Sequence, residues 1–520
     1  MGKKLKDIIT SIKIADVVGN TDVLIDNIAI DSRKCGEGTL FIAQKGANVD
    51  GHSFIGQVIL QGCRAVICEE IPTSANSDVC YIKVDDTHKA LGNIASAFYD
   101  EPSKKLKLVG VTGTNGKTTI ATLLYRLLRE MGHKTGLFST VANYINEERM
   151  STINTTPDAI TLHSLMRRMV DEGCEYCFME VSSHSVVQSR ISGLDFDGAV
   201  FTNLTHDHLD YHGTFDEYRK AKQMFFDGLK PEAFALTNDD DRNGKIMIQN
   251  TRAKKMSYSL RTMTDFKGEV VENGFEGMLM KFRGQEAFMQ FVGRFNASNL
   301  MAVYGAAVSL GFESGEVLVA LSALRPVDGR FEALRSEDGK TAIVDYAHTP
   351  DALNNVISTI NEIRKDGQQL LTVCGCGGNR DKTKRPQMAK EAVAGSDIVI
   401  LTSDNPRNED PMDILSDMKA GLNGEESALV LTIPDRREAI FTAVKMAKSG
   451  DIILVAGKGH EDYQEINGIK HHFDDREEVR KYFKLSNFKS SFGKFKIAKQ
   501  LLDQKGIAYT VMLAEENGEL

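Results

Sequence analysis

The stretch Val109-Gly-Val-Thr-Gly-Thr-Asn-Gly-Lys-Thr-Thr119 constrains this chain more than any other. An apolar run, Leu106 to Val111, leads into it. An amphipathic run leads out, with Ile120, Leu123, Leu124, Leu127, Leu128 and Met131 at helical spacing and Gly132 placed as a C-cap. Strand, glycine-rich turn and helix together make a phosphate cradle: main-chain N–H groups and the helix N-terminus face the anion, and Lys117 adds a full charge. Thr118 offers a hydroxyl to a magnesium ion. The strict Walker spacing fails, because Val111 stands five residues before Gly116 where a glycine belongs. A shorter loop remains, Gly113-Thr114-Asn115-Gly116-Lys117-Thr118-Thr119, which reads as a nucleotide phosphate site.

At 520 residues the chain is long enough for about three domains. Its net charge of -9 argues against a general nucleic-acid binder. No apolar stretch is long enough to span a membrane. Lysines 3, 4 and 6 are followed by a run broken by Ser11, Lys13 and Asp16, so no signal-peptide core forms, and a cytoplasmic location is expected. Cys174-Glu-Tyr-Cys177 and Cys374-Gly-Cys376 read as small apolar residues at strand ends, in preference to a zinc or redox site.

Strands alternate with helices throughout, which predicts an α/β protein with mostly parallel sheets. Residues 1–102 carry strands at Val23 to Ile30, Leu40 to Ala43 and Ala65 to Cys68, and a helix from Asp86 to Tyr99. Their polar triplet Asp31-Ser32-Arg33 is either a structural turn or a holder of a diphosphate or uracil carbonyl. Residues 103–335 contain the phosphate loop and further strands at Phe178 to Val181, Gly198 to Phe201 and Ala233 to Leu236. Polar clusters follow these strands, where ligands bind in open α/β sheets. Asn154 to Asp158 opens a helix. Glu180 leaves an apolar strand, a natural place for a magnesium ligand of a nucleoside triphosphatase. Thr202 to Gly213 packs His206, Asp207, His208, Asp210 and His212 together and reads as ligands near a metal-bound phosphate. Tyr218 to Lys222 opens a basic helix, in which chemistry alone does not separate Lys222 from Lys220. Residues 336–485 carry strands at Thr341 to Asp345, Leu370 to Cys374, Ile398 to Thr402 and Ile452 to Ala456, each followed by polar residues.

Taken together, these motifs resemble the Mur ligases, ATP-dependent amino-acid ligases of peptidoglycan precursor synthesis. The resemblance rests on Thr112 to Thr119, Glu180-Val-Ser-Ser-His184, Asn203 to Gly213 and Ala221-Lys222. It continues through Gly293 to Asn299, Gly329-Arg-Phe-Glu332, Asp345 to Pro350, Gly375 to Asp381 with Lys384-Arg-Pro386, Asp404-Asn-Pro-Arg407 and Gly457-Lys-Gly-His-Glu461. The pattern is most similar to members that extend UDP-N-acetylmuramoyl-L-alanyl-D-glutamate (UDP-MurNAc-L-Ala-D-Glu). It implies three domains: 1–102 binding the uridine diphosphate, 103–335 a central P-loop domain binding ATP, and 336–485 a Rossmann-like domain binding the incoming amino acid.

By this resemblance Ser32 and Arg33 contact the uridine diphosphate, and Asn154, Thr155, Thr156, Ser183, Gln188 and Arg190 hold the sugar-peptide part. Lys117 contacts the terminal phosphates, with Thr118 and Glu180 at one Mg2+ and His208 and a carbamylated Lys222 at a second. A carbamate turns an ammonium that would repel the dication into an anionic oxygen ligand. The implied reaction makes an acyl phosphate from the D-glutamate γ-carboxylate and ATP, which the amine of the amino acid then displaces. His348 and Arg330 would serve the phosphates, and Asn296 and Asp345 the adenosine. Asp404-Asn405-Pro406-Arg407 points to meso-2,6-diaminopimelate over L-lysine, because Arg407 can fork onto a distal carboxylate that lysine lacks. Glu461 and the Gly457 carbonyl would take the remote ammonium, while Asn405 and Arg380 fix the ends. Asn379 departs from the aspartate the family pattern puts before Arg380-Asp381.

Residues 486–520 lie beyond the resemblance. Their lysines alternate with Phe488, Phe492 and Phe495, as in an extra helix and strand or in a contact to an anionic surface. A monomer is expected. Three rivals to the diaminopimelate-adding ligase stay in view: the same ligase using lysine, a folylpolyglutamate-synthase-like ligase, and an inactive nucleotide-binding regulator. Retention of Lys117, Glu180, His208 and Lys222 argues against the last.

Overall fold

The structure is a computed structural model that describes residues 2–46, 49–152, 154–205 and 209–484. His206, Asp207, His208 and the tail 486–520 therefore lie outside the described residues. The chain divides into two compact units between Val327 and Asp328.

The first unit holds two main sheets. A five-stranded sheet runs in the order Asp16–Val18, Cys80–Lys83, Ala65–Cys68, Thr39–Ile42, Asn27–Ala29, parallel except for its first strand. The strand expected over Val23 to Ile30 is two short ones, Leu24–Ile25 and Asn27–Ala29. At the break, Asp26 N–H turns to the Gly38 carbonyl at 2.8 Å. The helix Thr87–Phe98 is capped by the Asp86 side chain.

An eleven-stranded sheet forms the middle of this unit. It is parallel from Thr135–Phe138 through Tyr176–Glu180, Lys107–Thr112, Gly198–Phe201, Phe234–Asn238 and Lys254–Ser259 to Phe266–Gly274. Strand period explains how it is covered on both sides. Val109, Val111, Phe178 and Val200 pack with Ile120, Leu123, Leu124, Leu127 and Leu128 on one face. Leu108, Cys177, Met179, Ala199 and Phe201 pack with Leu162, Met166, Tyr218 and Phe226 on the other. Cys174 and Cys177 are thus core residues of a buried strand and its approach. Burial raises both thiols above their ordinary range.

The helix after the loop runs Lys117–Glu130, and Gly132 follows it at φ 90°. The basic helix starts at Phe215, ahead of Tyr218, where the Thr214 hydroxyl caps Glu217 N–H. An antiparallel extension, Phe266–Gly274, Gly277–Phe282 and Gln285–Met289, closes the sheet's far edge and was not expected from the sequence.

The second unit is built on a six-stranded sheet ordered Glu332–Arg335, Thr341–Asp345, Ile452–Ala456, Leu370–Cys376, Ile398–Ser403, Val430–Thr432. All neighbours are parallel except the first pair. The polar segments after Asp345, Cys376, Ser403 and Ala456 therefore leave the same edge of the sheet. A separate hairpin, Tyr463–Ile466 and Ile469–His472, stands beyond that edge. Among the described residues no helix is long and apolar enough to cross a membrane.

Candidate active site

The loop strand Lys107–Thr112 lies at a switch point. Its neighbours Tyr176–Glu180 and Gly198–Phe201 flank it on opposite sides, and the chain builds outward from both. The loop sits at the carboxyl end of that strand. Gly113 is at φ 150°, and a Cβ there would meet Thr202 Oγ1 at 1.8 Å. Gly116, at φ 89°, is the N-cap of the helix that Lys117 opens.

Residues after the neighbouring strand hold the loop from outside. Thr114 N–H donates to the Asn203 carbonyl at 2.8 Å, and Asn115 N–H to Asn203 Oδ1 at 2.9 Å. Thr202 Oγ1 donates to the Asn115 carbonyl at 2.6 Å. Lys117 Nζ folds back on the carbonyls of Gly113 and Thr114 at 3.0 and 2.8 Å. Lys222, and not Lys220, is the buried lysine of its helix. Its Nζ donates to the Gly113 carbonyl at 2.8 Å and lies over the Tyr218 ring at 4.6 Å. Lys220 instead pairs with Asp216 and Glu217 at the surface. Thr118 and Thr119 are buried in the first turn.

Glu180 is 1% exposed at the end of its strand. Its Oε1 accepts from Thr140 N–H at 2.7 Å, while Oε2 takes no hydrogen bond among the described residues. Thr156 Oγ1 donates to the Glu180 carbonyl at 2.8 Å, and Thr155 shares a hydrogen bond with Thr140. Arg190 Nη1 donates to the Thr156 carbonyl at 2.9 Å. Ser183 Oγ meets His212 Nε2 at 2.9 Å, and Gln188 Nε2 reaches Tyr211 Oη at 3.2 Å. Thr155, Thr156 and Arg190 thus share one network with Glu180. Asn154 stands at its margin, its carbonyl taking Thr152 Oγ1. Asn296 is buried at the start of Arg294–Ser309, its amide on the Val292 carbonyl. Ser32 and Arg33 lie apart from this network, in a short helix after Asn27–Ala29. Asp31 caps that helix and takes the Arg33 guanidinium at 2.9 and 2.8 Å, which draws its carboxyl down to about 2.

The second unit gathers the remaining predicted residues. Asp345 ends its strand and accepts from Phe331 N–H at 2.6 Å. Burial pushes its carboxyl up to about 6, with Arg330 pulling the other way. The Arg330 guanidinium lies 4.6 Å over the Tyr346 ring, and His348 Nδ1 meets the Tyr346 carbonyl at 2.9 Å. Across the sheet edge, Asn405 Nδ2 donates to Glu461 Oε2 at 2.9 Å. Lys458, fully buried, donates to the same carboxylate oxygen at 3.0 Å. Gly457 is at φ 117°, and a Cβ there would meet Asp404 Oδ2 at 2.5 Å. Pro406 leads into Arg407, which has φ 52° and donates from Nη1 to the Gly378 carbonyl at 2.8 Å. Arg380 is exposed on the adjacent loop. Asn379 is at φ 53°, a region asparagine tolerates, and its Oδ1 accepts from Asn408 N–H at 3.1 Å.

Three family models match the chain: "Mur ligase family, catalytic domain" over residues 24–99, "Mur ligase middle domain" over 111–307 and "Mur ligase, glutamate ligase domain" over 329–459. A UDP-N-acetylmuramoyl-L-alanyl-D-glutamate--2,6-diaminopimelate ligase of Phocaeicola vulgatus is 59% identical over 480 residues, 92% of this chain and 99% of that protein. The chain belongs to the Mur ligase family. A relative of the same name in Bacteroides fragilis is 57% identical over 483 residues, covering 93% of this Mur ligase and 100% of its own length. A solved structure of another protein of that name superposes with a TM-score of 0.68 at 33% identity, covering 94% of this chain and 100% of that one.

Sequence reading passed over three residues of this Mur ligase that brace the Asp404 to Arg407 segment. Arg436 is fully buried; it donates to Asp404 Oδ1 at 2.6 Å, to both Asp475 oxygens at 2.8 and 2.7 Å and to the Ala456 carbonyl at 2.9 Å. A buried guanidinium needs such partners, since an unpaired charge there would cost several kcal/mol. Arg436 and Asp475 sit among other charged residues in sequence, so no local pattern marked them. The third, Glu465, lies on the hairpin and pairs with Arg407 Nε at 3.3 Å.

Proposed function

We propose that this Mur ligase joins meso-2,6-diaminopimelate to UDP-MurNAc-L-Ala-D-Glu at the expense of ATP, giving ADP and phosphate. The observation that carries this reading is the shared name of relatives 59% and 57% identical over nearly their whole length. In our reading residues 1–102 bind the uridine diphosphate through Ser32 and Arg33, 103–335 bind ATP, and 336–485 bind the amino acid. The enzyme acts as a cytoplasmic monomer.

In the first step the D-glutamate γ-carboxylate attacks the γ-phosphorus of ATP and ADP leaves, which forms an acyl phosphate. In the second, the amine of diaminopimelate attacks the acyl carbon, loses a proton and expels phosphate, which leaves an amide. Two anions must meet in the first step, so positioned cations do most of the work. Lys117 swings from its loop carbonyls to the terminal phosphates, and the loop N–H groups cradle them. Thr119 completes the cradle, while Arg330 and His348 add charge and donors to the phosphates. Asn296 and Asp345 meet the adenosine. Asn154, Thr155, Thr156, Ser183, Gln188 and Arg190 hold the sugar-peptide part.

The donor set suits magnesium. Glu180 is a buried carboxylate with one oxygen uncommitted among the described residues, and Thr118 is a hydroxyl beside Lys117; both are hard oxygen ligands. Thr118 and Glu180 would hold one ion, and His208 with Lys222 as a carbamate a second. Magnesium, when bound, neutralises charge on the transferring phosphate.

The amino acid is chosen by charge. Arg407 takes the distal carboxylate as a bidentate pair, Glu461 and the Gly457 carbonyl take the remote ammonium, and Asp404, Asn405, Pro406 and Arg380 shape the ends. Lysine would leave the guanidinium without its partner. Phosphate release measured with ATP, magnesium, the UDP-dipeptide and each amino acid in turn tests the reading. Turnover with diaminopimelate is expected. Turnover with lysine alone, or with neither, would overturn it.

A further inference from the structure

The hairpin over residues 463–472 has no place in the main sheet, yet it is tied closely to the Asp404 to Arg407 segment. Its turn is Asn467-Gly468, at φ 50° and 76°, the pair that closes a tight two-residue hairpin. Arg407 pairs with Ile466 as an isolated parallel bridge. Arg407 N–H donates to the Glu465 carbonyl at 3.0 Å, and Asn467 N–H donates to the Arg407 carbonyl at 2.8 Å. Glu465 N–H donates to Asn405 Oδ1 at 3.0 Å, and Gln464 Nε2 to the Asp404 carbonyl at 2.8 Å. Every residue of the segment but Pro406 is thus held by the hairpin through a backbone or side-chain hydrogen bond.

One contact in this clasp is not needed to hold backbone. Glu465 Oε2 lies 3.3 Å from Arg407 Nε, and the two side chains are only 26% and 21% exposed. A guanidinium has five N–H donors in a rigid fork. Here Nε is ion-paired with Glu465 at 3.3 Å, Nη1 donates to the Gly378 carbonyl, and Nη2 makes no hydrogen bond among the described residues. The guanidinium donors left for a ligand are those of Nη2 and the second N–H of Nη1.

We propose that Glu465 is a specificity-positioning residue. By ion-pairing with Nε it restrains the rotation of the Arg407 side chain, so that Nη2 and the second N–H of Nη1 meet the distal carboxylate of the amino acid. The proposal rests on the diaminopimelate reading above and adds a residue to it. Without the Glu465 carboxylate, the four-bond side chain of Arg407 rotates, and its Nε edge competes for the same ligand.

Electrostatics and positioning give opposite signs, which makes the proposal testable. A glutamate near an anion site repels the anion. If charge alone mattered, removing it would tighten diaminopimelate binding. Positioning requires removal to weaken it.

The full chain and its variants E465A, E465D and E465Q are assayed for phosphate release with diaminopimelate and with L-lysine, and their melting temperatures are recorded. E465A is expected to raise the KM for diaminopimelate roughly tenfold while kcat and the KM for ATP stay within about twofold. The preference for diaminopimelate over lysine falls by a similar factor. E465Q keeps an oxygen toward Nε and recovers most of the loss. E465D keeps the charge but not the reach and shifts KM in the same direction as E465A, so it decides the matter if E465A does not fold. An unchanged or lowered KM for diaminopimelate would overturn the proposal. So would a joint rise in both KM values with a lowered melting temperature, which marks a structural role. Absence of diaminopimelate turnover by the unaltered enzyme would instead overturn the functional reading, and this proposal with it.

Discussion

Lys222 Nζ and Lys117 Nζ converge on one oxygen, the carbonyl of Gly113, at 2.8 and 3.0 Å. The two lysines lie on different helices, yet the phosphate loop brings both ammonium groups to one point. Two like charges this close repel each other, and a bound anion or the loss of one charge lowers that repulsion. In the proposed function, the ATP phosphates are that anion and Lys222 is the residue that carries the carbamate.

Lys222→Ala should therefore lower kcat for phosphate release by about a hundredfold or more, the cost of removing a group aimed at developing charge. With labelled bicarbonate, a carbamate carbon resonance should appear in the unaltered chain and be missing from Lys222→Arg. Full activity of Lys222→Ala would contradict the assigned role.

Arg407→Ala should raise the KM for diaminopimelate by about thirtyfold, corresponding to about 2 kcal/mol for a charged hydrogen-bonded pair. The KM for ATP should move little. Equal effects on the two would count against carboxylate recognition by this residue.

Gly92→Ala tests packing within the first unit. A Cβ at Gly92 would meet the Ser192 carbonyl oxygen at 2.1 Å, and one at Gly193 would meet the Gly92 carbonyl oxygen at 2.4 Å. Both neighbours are backbone, so relief requires a shift of chain. Overpacking of this kind costs about 1–3 kcal/mol, to be read from urea unfolding. Undiminished stability would mean that the helix Thr87–Phe98 does not pack there as described.

Much of this architecture was legible because its signals are local and repeated. Lys117–Glu130 carries its apolar stripe and its Gly132 stop in plain view, and the strand ending at Glu180 reads as an apolar run with an acid at its end. The basic helix reads as opening at Tyr218, three residues late, because the Thr214 cap that starts it at Phe215 lies in a polar stretch without an apolar stripe. The order of strands was not readable, because register and crossover depend on contacts far apart in sequence. Burial separates Lys222 from Lys220, and sequence carries no measure of burial for a lysine on a charged helix. Arg436 and Asp475 meet across 39 residues, and Glu465 acts from a short hairpin without a clear apolar pattern. Such partners become visible only once the sheet edge has gathered them.

His163 supplies a pH test. Its ring is fully buried on the helix Ala159–Asp171, and burial drives its pKa from 6.5 down to about 4. The unfolded chain therefore takes the proton first as pH falls. The stability contributed by the neutral ring is whole above pH 6.5 and is lost as pH drops through about 4, some 3 kcal/mol in all and about 2 kcal/mol by pH 5. His163→Gln should flatten the fall in unfolding free energy between pH 7 and pH 5 by that amount. An identical slope in both proteins would contradict it.

The central claim concerns the choice of amino acid, and a competition tests it most directly. The enzyme is given ATP, magnesium and UDP-MurNAc-L-Ala-D-Glu with equal concentrations of meso-diaminopimelate and L-lysine, and the products are separated by mass. Diaminopimelate and lysine products differ by one carboxyl group. A product pool made almost wholly of the diaminopimelate adduct is the expected result, and a majority of the lysine adduct would contradict the account.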